Sequence, residues 1–425
     1  AAAAALERAG RHVDAERELT LAVHEAEAND DATTMVRASA RLVATVGAKL
    51  RRPDQAERWA RHAFAAIARV DDDGLLAAEV HESLGMSAHA NGQWQRALDH
   101  FEQSARLVAT LRPDDELWRA TLRASAAGAR VQLGRYDEAI AGFEAAIAVQ
   151  RELLGDAHTG LAMTRHNFAI ALSITGDVDR ARDEATRALD AWLVAYDGQH
   201  PDIALGHQTL SSICRNTGDL AAAIMHAHEA RRSRIALVGP DHPDTLTAEL
   251  ALATTYNSAG RLVEAQDLFA HVVAAHEADA TLTPNGGIAW LNLGDVQRQR
   301  GDLASARASF VRARELLLVS HGPRHLAVAM ALLNLGVVTR DEGGPADAIA
   351  IFDECEAVLR DAVGVRHPRL ASLWHERGRA SAVLGDRAAA QSDYDRALAL
   401  LEGVPHVDAE RATIAASRTA LERSP

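Results

Sequence analysis

Twenty histidines are the residues of this 425-residue chain with the widest chemical reach, because imidazole can ligate metals, move protons and activate nucleophiles. Their spacing argues against a shared metal. His158, His200, His242, His325 and His367 each stand 18 residues ahead of a recurring turn glycine, at Gly176, Gly218, Gly260, Gly343 and Gly385. Stacked helix layers lie roughly 10 Å apart, so a once-per-repeat set is spread along the chain and cannot surround one ion. His226 and His228 are two apart and point in different directions on a helix. His271 and His276 are five apart and face each other poorly. Structural or solvated roles are expected for these side chains, with no metal and no cofactor.

Other chemical signatures are missing. The sequence holds no His-Glu-x-x-His, Cys-x-x-Cys, Gly-x-x-x-x-Gly-Lys or Gly-x-Ser-x-Gly, so no catalytic residues are assigned and no small-molecule substrate is expected. Cys214 and Cys355 lie 141 residues apart, several repeats from one another, which rules out a disulfide as the expected state. Both fall on helical packing positions and read as small buried hydrophobes.

The elements that carry these side chains are set by a strict period. A turn position recurs at Gly10, Arg51, Gly92, Gly134, Gly176, Gly218, Gly260, Gly301, Gly343 and Gly385, every 41 or 42 residues. Five residues later the chain always has alanine, from Ala15 through Ala139 and Ala181 to Ala390. Such a period means an array of repeats that bury their faces against neighbours. Around each turn two amphipathic helical segments meet, so each repeat is a helical hairpin. Seven residues before the turn sits a second small residue, such as Ala127, Ala253 or Gly336, expected to let the first helix approach the alanine of the second. Twelve after it comes a third small column, broken only by Val272. Nine after it, Phe101, Phe143, Phe269, Phe310, Phe352 and Tyr394 are expected to plug the space between repeats.

These columns resemble the tetratricopeptide repeat. The long period and the junctions Gly198-Gln199-His200-Pro201-Asp202, Gly239-Pro240-Asp241-His242-Pro243-Asp244 and Gly364-Val365-Arg366-His367-Pro368 are similar to the kinesin light chain variety. The resemblance implies an all-α fold, a right-handed superhelical solenoid of about ten helical hairpins over 1–403, followed by a capping helix within 404–425. The junctions have a local reason, since proline suits the first helical position and an adjacent Asp202 or Asp244 complements the helix dipole. Thr281-Leu282-Thr283-Pro284-Asn285-Gly286-Gly287 replaces the motif once, which predicts an irregularity there. Asp71-Asp72-Asp73-Gly74 and Arg112-Pro113-Asp114-Asp115 replace it in the N-terminal repeats.

The same resemblance implies a concave face lined by the first helix of each hairpin. In kinesin light chains similar asparagines face a peptide groove, and here Asn167, Asn292 and Asn334 occupy that frame, with Thr209, Ala251 and Glu376 standing in it elsewhere. Arg215, Arg298, Arg340 and Arg379, with His166 and His375, lie nearby on the same helices. Amides bond both peptide donors and acceptors and guanidinium pairs with carboxylates, so a protein or peptide partner is expected, an acidic one by the sign of the arginines. Asp295, Asp341 and Glu376 are placed to neutralise several of them. The asparagines have two readings, ligand contact or bonds between repeats.

A formal charge of −14 argues against indiscriminate binding to nucleic acid or anionic membrane. No apolar stretch or charged leader suggests a span or a secretory signal, and a cytoplasmic location is expected. Of 45 basic residues only Lys49 is lysine, which reads as a GC-rich, bacterial source. The early first turn suggests a sequence that begins inside a longer protein. Taken together, a non-catalytic protein- or peptide-binding scaffold is the leading expectation. The alternative is a sensor or docking region of a larger bacterial serine/threonine protein kinase, whose C-terminal repeat regions this chain resembles.

Overall fold

A computed structural model describes residues 2–8, 11–70, 74–196, 198, 200–279, 285–365, 367–404 and 407–423. The turn residue Gly10, the junction residues Asp71 to Asp73, Gln199, Arg366 and Thr281 to Pro284 lie outside the described residues. Everything regular among the described residues is helical.

The chain divides into two compact units, Ala1–Thr217 and Gly218–Pro425. In the first, α1 (Ala2–Arg8) and α2 (His12–Ala28) are followed by α3 (Ala32–Ala44) with α4 (Pro53–Ile67) and α5 (Leu75–Ala90) with α6 (Trp94–Leu111). Then come α7 (Glu116–Gln132) with α8 (Tyr136–Leu154), α9 (Thr159–Thr175) with α10 (Val178–Ala195), and α11 (Pro201–Asn216). The second unit opens with α12 (Leu220–Val238) and continues through the pairs α13 (Pro243–Ser258) and α14 (Leu262–Ala278), α15 (Gly286–Gln299) and α16 (Leu303–His321), and α17 (Leu326–Asp341) and α18 (Pro345–Val363). It ends with α19 (Arg369–Val383), α20 (Arg387–Leu400) and α21 (Asp408–Arg423). Within each unit a helix packs on its predecessor, and the first helices of successive hairpins also touch: α5 with α7, α7 with α9, α15 with α17 and α17 with α19. That contact lines the first helices up along one face. The helix order is the one expected of ten hairpins, and α21 packs on α19 and α20 with Ile414 fully buried.

Alanine and leucine favour these helices, and the small columns decide how they cross. Every alanine five residues past a turn is fully buried, from Ala15 to Ala390. The position seven before the turn has a more specific partner than expected. A Cβ added to Gly85, Gly294, Gly336 or Gly378 would lie within 2.4 to 2.7 Å of the ring of Phe101, Phe310, Phe352 or Tyr394 respectively. The aromatic therefore lies on the small residue of its own hairpin, because the ring needs the volume that the missing side chain leaves. Cys355 is buried in the third small column and donates to the Ala329 carbonyl at 3.1 Å, and burial pushes its thiol up to about 12.

The junctions explain their own sequence. The Nδ1 atoms of His158, His200, His242, His325 and His367 accept the backbone N–H two residues on, at 3.0 to 3.2 Å. His158, His200, His242 and His325 are thus the N-caps of their helices, a service usually worth about 0.5–2 kcal/mol, while His367 makes the same bond one position ahead of Pro368, which stands at the cap of α19. Gly155, Gly239, Gly322 and Gly364 end the preceding helices with φ of 78 to 89° and ψ of 164 to 171°. Only glycine enters that region readily, which is why the motif begins with it. Arg51 takes the turn glycine's place in a left-handed conformation, φ 55°, after α3 widens into a π turn over Thr45–Lys49. The junction before α15 lacks the histidine cap: Asn285 precedes the helix without a side-chain cap bond.

Candidate binding face on the first helices

The expected binding residues all stand on first helices, and their surroundings separate them. In the first unit Asn167 is exposed on α9 at the edge of an open cleft of about 430 Å³ formed by α5, α7, α9 and the π turn. Met86 and Ile170, 39% and 37% exposed, give the cleft apolar side chains, while Lys49, His89 and Gln132 supply polar ones. Burial holds the His89 pKa below its ordinary value. Gly128 deepens the cleft. A Cβ built on it would meet nothing nearer than His89 Nε2 at 3.7 Å, so no packing contact demands glycine there, although glycine costs a helix about 1 kcal/mol relative to alanine. No hydrogen bond joins the Asn167 amide to a described residue.

His166, one position earlier, does not reach this face. Its ring is 2% exposed and packs 5.6 Å from the ring of Trp192 on α10, and burial lowers its pKa to about 4. One helical step of 100° turns the side chain from the groove into the core. Arg215 on α11 is half-buried, burial lowers its pKa, and no carboxylate among the described residues pairs with it.

In the second unit Asn292 on α15 and Asn334 on α17 are partly exposed, and neither amide is hydrogen-bonded among the described residues. The arginines beside them are matched by acids. Arg298 pairs with Asp295 at 3.0 Å, and Gln299 bridges Asp295 and Asn257 at 2.7 and 3.1 Å. Arg340 is 7% exposed and is held by Asp341 at 2.7 Å and by Glu376. Burial works against its charge, but the two carboxylates outweigh that and raise its pKa. Arg379 pairs with Glu376 at 3.1 Å. His375 on α19 is nearly buried, its Nε2 lying 2.9 Å from Ser417 Oγ of α21. The neutralisation that the neighbouring acids foreshadow is therefore present, and it removes most of the positive field on which an acidic partner was expected.

Met86, Gly128 and Ile170 were missed by a reading that looked for polar side chains. Their signal is positional, six residues before the turns Gly92, Gly134 and Gly176, where a first helix shows its outer face. Among the described residues no three histidine, cysteine or acidic side chains are grouped to hold a metal, and no helix is long and apolar enough to cross a membrane.

Hairpins of paired helices, small residues at each crossing and an unfilled face on the first helices define a helical repeat scaffold. Residues 119–193, 202–278 and 287–361, more than half of the chain, match the tetratricopeptide repeat family, and a second profile of that family matches 250–317. The chain belongs to the tetratricopeptide repeat family. Among characterised proteins, kinesin light chain-related 2 of Arabidopsis thaliana is 24% identical over 245 residues, which take in 57% of this chain and 36% of that protein. The match thus spans about a third of the relative's length. Among solved structures, RapI in its apo form aligns with 10% identity over 87% of this chain and 98% of its own, TM-score 0.62. A Rap protein complexed with Competence and Sporulation Factor aligns with 14% identity over 94% and 99%, TM-score 0.54. These two likenesses are of fold.

Proposed function

We propose that this chain is a non-catalytic scaffold that holds an extended segment of a partner protein on its first-helix face, with the cleft beside Asn167 as the main anchor. The observation that carries the reading is the contrast in pairing. On the first helices of the second unit Arg298, Arg340 and Arg379 are bonded to acids, whereas the amide of Asn167 in the first unit and those of Asn292 and Asn334 in the second are accessible and unengaged among the described residues. An amide offers a donor and an acceptor at once, the pair an extended backbone presents. Met86 and Ile170 beside Asn167 would receive an apolar side chain of the segment. That a protein of similar fold has been solved with Competence and Sporulation Factor bound is in keeping with the reading.

The test is selection of peptides from a random displayed library, followed by calorimetry with the selected sequences. Asn167→Ala should weaken them about tenfold, the equivalent of roughly 1.4 kcal/mol. Gly128→Leu, whose Cβ has room and whose side chain extends into the cleft, should abolish measurable binding while the helical signal is kept. Peptides that bind Gly128→Leu as well as wild type would place recognition elsewhere.

A further inference from the structure

A second cleft lies across α7 from the first and has the opposite character. It also measures about 430 Å³ and is bounded by α6 and α7, with Arg106, Arg119, Arg123 and Arg130 around an apolar floor that includes Leu122 and Ala126. On α7 the residues lining it, such as Arg119, Arg123 and Arg130, fall on a different side of the helix from Ala124, Gly128 and Val131 of the other cleft, about 100° or more around it for most pairs. In a chain with a net charge of −14 this concentration of arginine runs against the average.

The partners of the four guanidinium groups show where charge is left over. Arg130 bonds Glu102 at 2.8 Å and has Glu138 at 3.4 Å. Arg106 donates to the amide oxygen of Gln103 and Arg119 to the carbonyl of Pro113. Both of those acceptors are neutral. Arg123 is exposed and bonds no described residue. Both carboxylates meet the one arginine, Arg130, and Glu138 is shared with Arg135, so Arg106, Arg119 and Arg123 have no carboxylate partner among the described residues and a dianion would answer charge left there. Arginine's planar fork suits phosphate oxygens two at a time. The cleft is also far larger than a phosphate needs, since a water molecule takes about 30 Å³, and its floor is mostly apolar. The remaining room fits a hydrophobic stem.

We propose that the cleft between α6 and α7 binds a phosphate monoester dianion carried on an apolar stem. This site is independent of the first-helix groove. The stem belongs either to a phosphorylated side chain of a protein or to a free organic phosphate, and the probes separate the two.

Calorimetry with phenyl phosphate, inorganic phosphate and phenol tests the proposal. Phenyl phosphate should bind saturably, inorganic phosphate about tenfold or more weakly, and phenol not measurably. The double change Arg119→Gln with Arg123→Gln should weaken phenyl phosphate at least about tenfold with an unchanged melting temperature, because neither residue pairs with a carboxylate. Ala109→Leu, which encroaches on the cleft from exposed ground on α6, should do the same without touching a charge. Gly128→Leu should leave phenyl phosphate binding intact, which separates this site from the groove. A phosphotyrosine peptide that binds more tightly than phenyl phosphate identifies a protein source, and equal affinity a small-molecule one. No saturable binding of phenyl phosphate up to about 10 mM, retention in the double variant, or equal binding of inorganic phosphate would each overturn the proposal.

Discussion

Phe352 lies on Gly336, sixteen residues earlier and across the hairpin, so closely that a Cβ on the glycine would be 2.4 Å from the ring. The ring is fully buried and has no room to retreat. Gly336→Ala should therefore destabilise the protein by about 1–3 kcal/mol, the overpacking penalty outweighing a helix-propensity gain of about 1 kcal/mol. Gly128→Ala, in a helix where the added Cβ would come no nearer than 3.7 Å to a neighbour, should stabilise by about 0.5–1 kcal/mol. Urea denaturation of the two variants, compared with wild type, would show midpoints moving in opposite directions.

The same packing logic applies to the alanines past each turn. Ala139 and Ala181 are fully buried at helix crossings, so Ala139→Leu or Ala181→Leu should cost about 1–3 kcal/mol. Arg151→Ala on the exposed side of α8 should stay within about 0.5 kcal/mol of wild type. Unchanged midpoints for both leucine variants would mean that the crossing frame is misplaced.

Stability should fall on mild acidification, in part through His166. Burial beside Trp192 lowers its pKa to about 4, against about 6.5 for a free imidazole. A depressed folded-state pKa gives a contribution that is complete above about pH 6.5 and is lost as pH drops toward 4, by up to about 3 kcal/mol. His166→Leu keeps the apolar contact and removes the titration. The melting temperature of this variant should fall less steeply than that of wild type between pH 6.5 and 4, and parallel curves would contradict the burial argument.

Arg340 and Arg379 differ in kind although they lie near one another in the frame. Arg340 is nearly buried between Asp341 and Glu376, so Arg340→Glu would bring three acids together and should cost about 3–5 kcal/mol. Arg379 is largely exposed, and Arg379→Ala should cost no more than about 1 kcal/mol. Thermal melts of the pair would show a large drop for the first alone. Charge reversal at Arg340 is consequently a test of stability and not of ligand binding.

The hairpin frame was legible because period, turn and small columns are local features repeated ten times, and chance cannot imitate them. The turn at Gly134 and the alanine at Ala139 could be placed from spacing alone. What spacing could not show was which way a side chain turns within one residue: Asn167 faces the groove and its neighbour His166 the core. Nor could it show pairing across repeats, since Arg340 meets Glu376 36 residues away. In the sequence the histidine junction shows its proline and its helix-dipole acid; the acceptor role of Nδ1 and the glycine-only ending of the preceding helix depend on backbone angles that spacing does not carry.

The central claim is that the cleft beside Asn167 is where a partner segment sits, and thiol footprinting measures that directly. Cys214 and Cys355 are 2% and 1% exposed, so a cysteine introduced by Gly128→Cys would be the readily modified thiol. A library-selected peptide should slow its reaction with a maleimide about tenfold at saturation, the free fraction setting the rate. It should leave Val194→Cys, an exposed site on α10, unaffected. An unchanged rate at position 128 with saturating peptide would contradict the assignment of the groove.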